Sequence, residues 1–297
     1  MSWRILDLED FTGVLSYQRG RIKICSETDG EVTLPLNDVA VVLCGHKCSI
    51  STGLMAKFGE LGISLLVTDW RRVPICALQS WSNHTRVGAR QLAQAKLSVP
   101  RAKHAWQQVT KSKIRGQAQV QLALGHAKQS RQLSELARQV RSGDPQNLEG
   151  QAAKLHWQHF VRDVPFTRNA DSADPLNAML NYGYTILRGF AIRSVLAAGL
   201  WPGLGIFHHG RSNAFNLADD LIEPFRPVVD HAVASLPPEA SVTSREVKRR
   251  LASLPDQAFD SEGASTSTVM TNLARNFGRF VEGDIPRLQV PYWHGQS

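Results

Sequence analysis

The hydrophobic pattern of this chain changes its period once, near residue 84, and that change constrains the fold more than any other feature. Up to about residue 80, short runs rich in Ile, Val and Leu alternate with turn residues, which is typical of β-strands. Beyond about residue 84, apolar residues recur at intervals of three and four, which is typical of amphipathic helices. The sequence therefore predicts an α+β protein with a small β-rich N-terminal domain, residues 1–83, and a larger all-α domain, residues 84–297.

Within the first part, the pattern predicts one helix over 49–62, with Ser51 as its N-cap, and a hairpin turn at Asp29-Gly30. Predicted strands cover 3–8, 13–17, 21–25, 31–34, 39–44, 63–68 and 73–78. In the second part, predicted helices cover 86–98, 101–123, 127–141, 146–161, 175–199, 216–234, 243–252 and 266–281. Residues 283–297 are predicted to form an extended tail.

Positive charge is concentrated in one segment. The 65 residues from Trp70 to Ser134 contain 12 Lys and Arg and no Asp or Glu, although the whole chain has 34 basic and 26 acidic residues. A segment of one sign attracts a polyanion, and a nucleic-acid backbone is the partner we expect. The alternative is a solvated basic helix face without a ligand. The candidate DNA contacts, led by the first two, are Arg86, Arg90, Arg101, Lys103, Lys111 and Lys113.

Several classes of protein lack support in the sequence. There is no run of about 18 apolar residues, so a membrane-spanning helix is not expected. The N-terminus lacks the pattern of a secretory signal, and four cysteines are too few for a disulfide scaffold. We therefore expect a cytoplasmic protein. Cys44, His46 and Cys48 lack the second ligand pair that a structural zinc site requires, so we interpret the cysteines as free thiols.

The common catalytic motifs are absent as well. The chain has no phosphate-binding loop, no dinucleotide-binding G-x-G-x-x-G between a strand and a helix, and no G-x-S-x-G elbow. Two candidates for chemistry remain. One is Glu149, near the start of a predicted helix, where Asp144 can cap the helix and Pro145 suits its first turn. A glutamate there commonly serves only the helix dipole, and this alternative stays open.

The second candidate is the polar cluster between residues 208 and 227. Asp220 and Glu223 are three residues apart, so they share a helix face, and two histidines precede them. Carboxylates suit Mg²⁺ or Mn²⁺, and an imidazole favours Mn²⁺. A divalent ion would stabilise the negative oxygens that develop when a phosphodiester is attacked. The alternative is an acidic helix face beside a loop histidine.

Four motifs in order resemble one family, the CRISPR adaptation integrase, or Cas-one subunit. The segment 148–153 reads L-E-G-Q-A-A, 174–184 reads D-P-L-N-A-M-L-N-Y-G-Y, 205–208 reads G-I-F-H and 220–227 reads D-L-I-E-P-F-R-P. The helix and strand over 49–69 are similar to the family's N-terminal domain. The resemblance covers nearly the whole chain, and the run over 213–227 is most similar to members from type II systems.

The resemblance implies a metal held by a glutamate, a histidine and a distal acid, which map to Glu149, His208 and Glu223. Asp220 is the family's other acidic position, and His209 is an alternative histidine. Residues 84–297 would then be a metal-dependent catalytic domain, and residues 1–83 a dimerisation domain. The departures from the family pattern are the second histidine, an extra acid at Asp219, and His156-Trp157 where many members have Tyr or Phe.

The function that the resemblance implies is insertion of short duplex DNA into a CRISPR array by metal-dependent 3′-hydroxyl transesterification, with endonuclease activity at the same site. The implied partners are prespacer and repeat DNA, a second copy of the chain, a central dimer of the small Cas-two subunit flanked by two such dimers, and the large RNA-guided effector nuclease. Two alternatives remain open. One is a general metal-dependent nuclease acting on branched or repair-intermediate DNA, and the other is a non-catalytic DNA-binding scaffold.

Overall fold

The computed structural model describes residues 4–26, 30–70, 74–78, 80, 85–160, 166–172 and 174–295. Strands and one helix occupy the N-terminal part, and helices occupy the rest, which confirms the predicted α+β fold class. The boundary predicted at residues 83 and 84, and the turn residue Asp29, lie outside the described residues. The strands are β1 Arg4–Leu8, β2 Gly13–Gln18, β3 Arg21–Ser26, β4 Gly30–Pro35, β5 Val39–Cys44, β6 Cys48–Ile50, β7 Ser64–Thr68 and β8 Pro74–Leu78.

The described helices follow the predicted intervals closely. They are α1 Thr52–Leu61, α2 Val87–Ala95, α3 Val99–Ala123, α4 Ala127–Gln139, α5 Leu148–Gln158, α6 Pro175–Ala197, α7 Asn216–Ile222, α8 Arg226–Ala234, α9 Arg245–Ala252 and α10 Thr266–Glu282. No described helix combines the length and the apolar character needed to cross a membrane. Ser51 caps α1 as predicted, because its side chain accepts a hydrogen bond from the amide of Leu54.

Two predictions about elements are wrong in detail. The predicted helix over 49–62 begins later, because Cys48–Ile50 forms β6 and pairs in parallel with β2. The predicted helix over 216–234 is divided by a 3₁₀ turn, Glu223–Phe225, into α7 and α8. Pro224 and Pro227 explain the division, since neither has the amide hydrogen that a continuous α-helix would use.

The strands form two four-stranded sheets. The first has the order β1-β5-β7-β8 and the second the order β4-β3-β2-β6. Every residue of β5 is buried, and from Val41 to Cys44 its side chains alternate between two cores. Val42 and Cys44 pack with α1 and the second sheet, whereas Val41 and Leu43 belong to the core formed with the helices.

The central helix α6 lies directly against the first sheet. A Cβ atom at Gly189 would come within 2.9 Å of Val41 Cγ1, so the helix can approach β5 this closely only with glycine there. Around α6 pack α7, α8, α9 and α10, whose apolar residues share the same core. Helix α3 crosses this group and also contacts α4 and α5, and this crossing forms the candidate site.

Candidate active site

The start of α5 holds Glu149 in a defined position. The carboxylate of Asp144 accepts hydrogen bonds from the amides of Leu148 and Glu149, each at 2.9 Å. Asn147, with φ of 50°, is the N-cap residue and accepts from the amide of Gly150 at 3.2 Å. Asp144 therefore binds the first turn as predicted but from outside the helix, and Pro145 precedes the helix instead of beginning it.

Two glutamates from distant elements meet at one lysine. Lys113 Nζ on α3 lies 2.6 Å from Glu149 Oε1 and 2.5 Å from Glu223 Oε2. Arg226 Nε lies 2.8 Å from Glu223 Oε1, so the second glutamate is held between two cations. The Lys113 and Glu223 side chains are 13% and 5% exposed. Two candidate metal ligands thus converge on the same point.

The charges of this cluster support one another. Burial raises the pKa of the Glu223 carboxyl, but Arg226 and Lys113 outweigh it, and its pKa lies below the usual value. Burial likewise lowers the pKa of the Lys113 ammonium, but Glu223 and Glu149 bring it above the usual value. At neutral pH, Glu223 and Lys113 are therefore both charged, because each charged form is stabilised by its neighbours.

A loop places His208 beside this cluster. Its Nδ1 lies 2.6 Å from Asp220 Oδ1, and Asp220 also accepts hydrogen bonds from the backbone amides of residues 206, 207 and 208. Gly205 permits the tight turn, since a Cβ atom there would lie 2.2 Å from the His208 carbonyl oxygen and 2.9 Å from Asp220 Oδ2. Asp220 is fully buried and orients the histidine. The spacing of the G-I-F-H and D-L-I-E segments thus has a structural reason.

These contacts favour His208 over His209 as the candidate ligand. Hydrogen bonding to Asp220 raises the pKa of His208, and the charge of Glu223 raises it further. His209 is exposed and lines an adjacent cavity of about 790 Å³. The ring of Phe207 stacks on Trp106 of α3, with 4.4 Å between the ring centroids, and so anchors the loop to α3. His208 is therefore the residue that the fold orients.

The donor chemistry of the site fits a hard divalent cation. Glu149 and Glu223 supply carboxylate oxygens, and His208 bonded to Asp220 through Nδ1 has Nε2 left as a ligand in its neutral form. Mg²⁺ and Mn²⁺ accept this donor set. Among the described residues, no group of three His, Cys, Asp or Glu side chains is placed to hold a metal ion, and Lys113 lies between the two glutamates.

The candidate DNA contacts divide into two groups. Arg90 is 7% exposed, bonded to the Ala198 carbonyl oxygen and paired with Glu282 at 2.7 Å. The guanidinium of Arg101 donates a hydrogen bond to the Phe280 carbonyl oxygen and lies over the Phe280 ring. Arg90, Arg101 and Lys113 thus bind acids or carbonyl oxygens of other segments of the chain. These three cations have their partners inside the protein. The remaining three are Arg86, Lys103 and Lys111. Lys111 is half-buried and the other two are exposed, although Arg86 also pairs with Glu282 at 3.0 Å.

A buried polar network behind the site escaped prediction. Tyr184 donates a hydrogen bond to Asp230, and His156 Nε2 lies 3.1 Å from the other oxygen of that carboxylate. Arg226 covers the Tyr184 ring at 4.7 Å and so connects the network to Glu223. Both Tyr184 and Arg226 lie in the motifs quoted above, but their meeting depends on how α6 packs against α8. His156 therefore has a structural partner in Asp230.

Solved structures define the class of this fold. A casposase bound to its integration product matches with a TM-score of 0.78 at 16% identity, over 99% of this chain and 94% of that chain. A Cas6-RT-Cas1–Cas2 complex also matches with a TM-score of 0.78 at 16% identity, over the whole of this chain and 37% of that chain. At such identities the likeness establishes the fold, which is that of Cas1 and casposase proteins.

The sequence comparisons are more specific. The family profile of CRISPR associated protein Cas1 matches residues 8–259. The CRISPR-associated endonuclease Cas1 of Neisseria meningitidis serogroup C (strain 8013) is 37% identical over 238 residues, covering 80% of this chain and 76% of that protein. The chain therefore belongs to the Cas1 family of CRISPR-associated proteins.

Proposed function

We propose that this protein joins the 3′-hydroxyl ends of short duplex DNA to a CRISPR array by direct transesterification, and that Glu149, His208 and Glu223 hold the Mg²⁺ or Mn²⁺ involved. The convergence of Glu149 and Glu223 on one buried cation, beside a histidine oriented by Asp220, carries the proposal. A divalent ion bound there would stabilise negative charge on the phosphodiester oxygens and on the attacking oxygen.

The protein's own residues have separate parts in this reaction. Asp144 accepts a hydrogen bond from the backbone amide of Glu149 and so fixes the backbone that carries this side chain, and Arg226 pairs with the carboxylate of Glu223. Both carboxylates are therefore positioned before substrate binds. Asp220 fixes the imidazole, which keeps one ring nitrogen directed away from that carboxylate. Arg86, Lys103 and Lys111 would bind the DNA backbone, since phosphate contacts give affinity without reading sequence.

The partners form part of the proposal. The Cas1–Cas2 complex among the structural relatives supports assembly with the small Cas2 subunit. The arrangement as two dimers of this chain around a central Cas2 dimer rests on the sequence resemblance. We further propose that residues 1–83 form the dimerisation domain and residues 84–297 the catalytic domain. The type II subtype and contact with the large effector nuclease rest on the sequence resemblance over 213–227.

Strand transfer tests the proposal directly. The assay contains purified protein, Cas2, Mn²⁺, a labelled duplex with 3′-hydroxyl ends and a supercoiled plasmid carrying the repeat. We expect labelled duplex joined to plasmid, a loss of at least about 100-fold in Glu149→Ala and His208→Ala, and little change in duplex binding. Glu135→Ala is the matched control, because this glutamate is exposed and pairs with Arg138 and Gln139 of its own helix.

The alternatives give different results in the same assay. Nicking without joining, equal on plasmids with and without the repeat, would indicate a general nuclease. Loss of duplex binding in folded Glu149→Ala protein would contradict the assigned role of this residue. DNA binding with neither Mn²⁺ binding nor strand transfer would indicate a scaffold.

A further inference from the structure

We propose that Lys113 is an internal counter-cation which a divalent ion must displace, and that the displaced ammonium then pairs with a phosphate of bound DNA. Metal binding and DNA binding would thus favour each other. This inference rests on the proposed function, because the two glutamates are metal ligands only under that proposal. It concerns a lysine that the sequence places among twelve dispersed cations without any distinguishing mark.

The first support is competition for the same oxygens. The ammonium lies 2.6 Å from Glu149 Oε1 and 2.5 Å from Glu223 Oε2, so it forms an ion pair with both carboxylates. A divalent ion held by these two carboxylates would use the same oxygens. Because both are cations, the ammonium and the ion would repel each other strongly if both were bound to these buried oxygens. Only one of them can therefore occupy the position between the glutamates.

The second support is the balance of charge. The two glutamates face two cations, Lys113 and Arg226, so the buried cluster is neutral as it stands. A divalent ion added with both cations in place would leave a large uncompensated positive charge. If the lysine leaves and pairs with a phosphate, both the metal and the lysine have partners again. DNA therefore removes the cost that opposes metal binding.

The third support is the position of Lys113 on α3. Residues 103, 106, 110 and 113 are spaced by three and four, so they lie along one face of the helix. Lys103 and Trp106 of this face line the cavity of about 790 Å³ next to His208, together with Arg211. The flexible four-carbon stem of lysine allows its ammonium to exchange partners along this face, which a rigid guanidinium would do less readily.

Mn²⁺ binding to the whole protein, measured by the electron paramagnetic resonance of free Mn²⁺ at one pH, tests the inference. We expect a labelled duplex to tighten Mn²⁺ binding to the unaltered protein by about tenfold, and Mn²⁺ to tighten duplex binding by the same factor. In Lys113→Met, Mn²⁺ without DNA should bind about tenfold more tightly than in the unaltered protein, because the competing cation is gone. The added effect of DNA should then largely disappear.

Lys154→Met is the control, since Lys154 is exposed on the same helix as Glu149. A folded Lys113→Met protein that binds Mn²⁺ no more tightly than the unaltered protein would overturn the inference. Circular dichroism establishes folding, and Lys113→Gln, whose amide can still donate to one carboxylate, is the second variant if Lys113→Met does not fold. Strand transfer is measured separately, so an intact reaction with unchanged Mn²⁺ affinity would reject this inference alone.

Amine labelling of the unaltered protein gives a readout that needs no variant. Lys113 should react slowly without metal, faster with saturating Mn²⁺, and slowly again with Mn²⁺ and duplex together, as read by mass spectrometry. Lys154 should react at the same rate in the first two conditions. A Lys113 rate that Mn²⁺ leaves unchanged would show that the ammonium is not displaced.

Discussion

At the scale of single residues, the site depends on side chains whose partners lie far away in the sequence. Lys113 and Glu149 are separated by 36 positions, and the pair formed by His208 and Asp220 by 12. Asp220 is fully buried, and both of its carboxylate oxygens accept hydrogen bonds, from one histidine ring and three backbone amides. Its role is therefore to position His208, whereas Glu149 and Glu223 remain the candidate carboxylate ligands.

The first prediction concerns the protonation of His208. Because Asp220 accepts its hydrogen bond, the pKa of His208 in metal-free protein should lie above the usual value of 6.5. Since the folded pKa is the higher one, the pair stabilises the fold fully below pH 6.5, and this stabilisation is lost as the pH rises through the folded pKa. Metal binding should show the opposite trend, because a ligand imidazole must be neutral.

Imidazole resonances followed by NMR across pH provide the measurement. Asp220→Asn should lower the pKa of His208, and Asp219→Asn should lower it less, because Asp219 acts only through its charge and is paired with Arg188. A His208 that titrates below 6.5 in the unaltered protein, or an equal effect of the two variants, would contradict this interpretation of the loop.

At the scale of elements, the position of Glu149 is set by how α5 begins. Asp144 accepts two hydrogen bonds from the first amides of α5, and Asn147 caps this helix from a left-handed backbone conformation. Neither interaction is strong by itself. Together they satisfy amides that the helix leaves without partners and thereby keep the glutamate facing Lys113.

The second prediction follows from this arrangement. Asp144→Ala should reduce the free energy of unfolding by about 1 kcal/mol, a typical cost for the loss of a helix-capping side chain. It should also reduce strand transfer, since Glu149 loses its support, while duplex binding is retained. Urea unfolding and the strand-transfer assay measure the two effects. Asp171→Ala, an exposed loop change, should alter neither quantity, and equal effects of the two variants would argue against a role for the cap.

At the scale of the whole molecule, the basic segment also serves the assembly of the helices. Arg90 on α2 pairs with Glu282 at the end of α10 and bonds to the Ala198 carbonyl oxygen after α6. A Cβ atom at Gly278 would lie 2.8 Å from this guanidinium, so α10 is shaped to receive it. Part of the positive charge from which the sequence predicts DNA binding therefore joins three helices.

The third prediction is that this ion pair matters far more than a surface pair of similar length. Glu282→Gln should reduce the free energy of unfolding by about 3–5 kcal/mol, chiefly because the buried Arg90 would lose its compensating charge. The exposed Arg86, which also pairs with Glu282, should contribute little to this loss. Glu60→Gln breaks an exposed pair with Lys57 at 2.6 Å and should cost about 0–1 kcal/mol. Thermal and urea unfolding of both variants give the comparison, and similar losses would contradict the structural role assigned to Arg90.

The sequence by itself determined the α+β class, the order of nearly all the helices and strands, and the residues of the four motifs. These properties are local, since hydrophobic period, caps such as Ser51 and turn residues act within a few positions. Even the interruption at Pro224 and Pro227 has a local cause that the sequence contains.

Only the tertiary structure decided which cations face solvent and which have partners inside the protein. Arg86 and Arg90 belong to one basic segment and both pair with Glu282, yet their side chains are 61% and 9% exposed. The same applies to Lys113, whose two carboxylates reach it from α5 and from the turn after α7. Electrostatic pairing depends on distance in space and on burial, and neither quantity is contained in the spacing of charges along a chain.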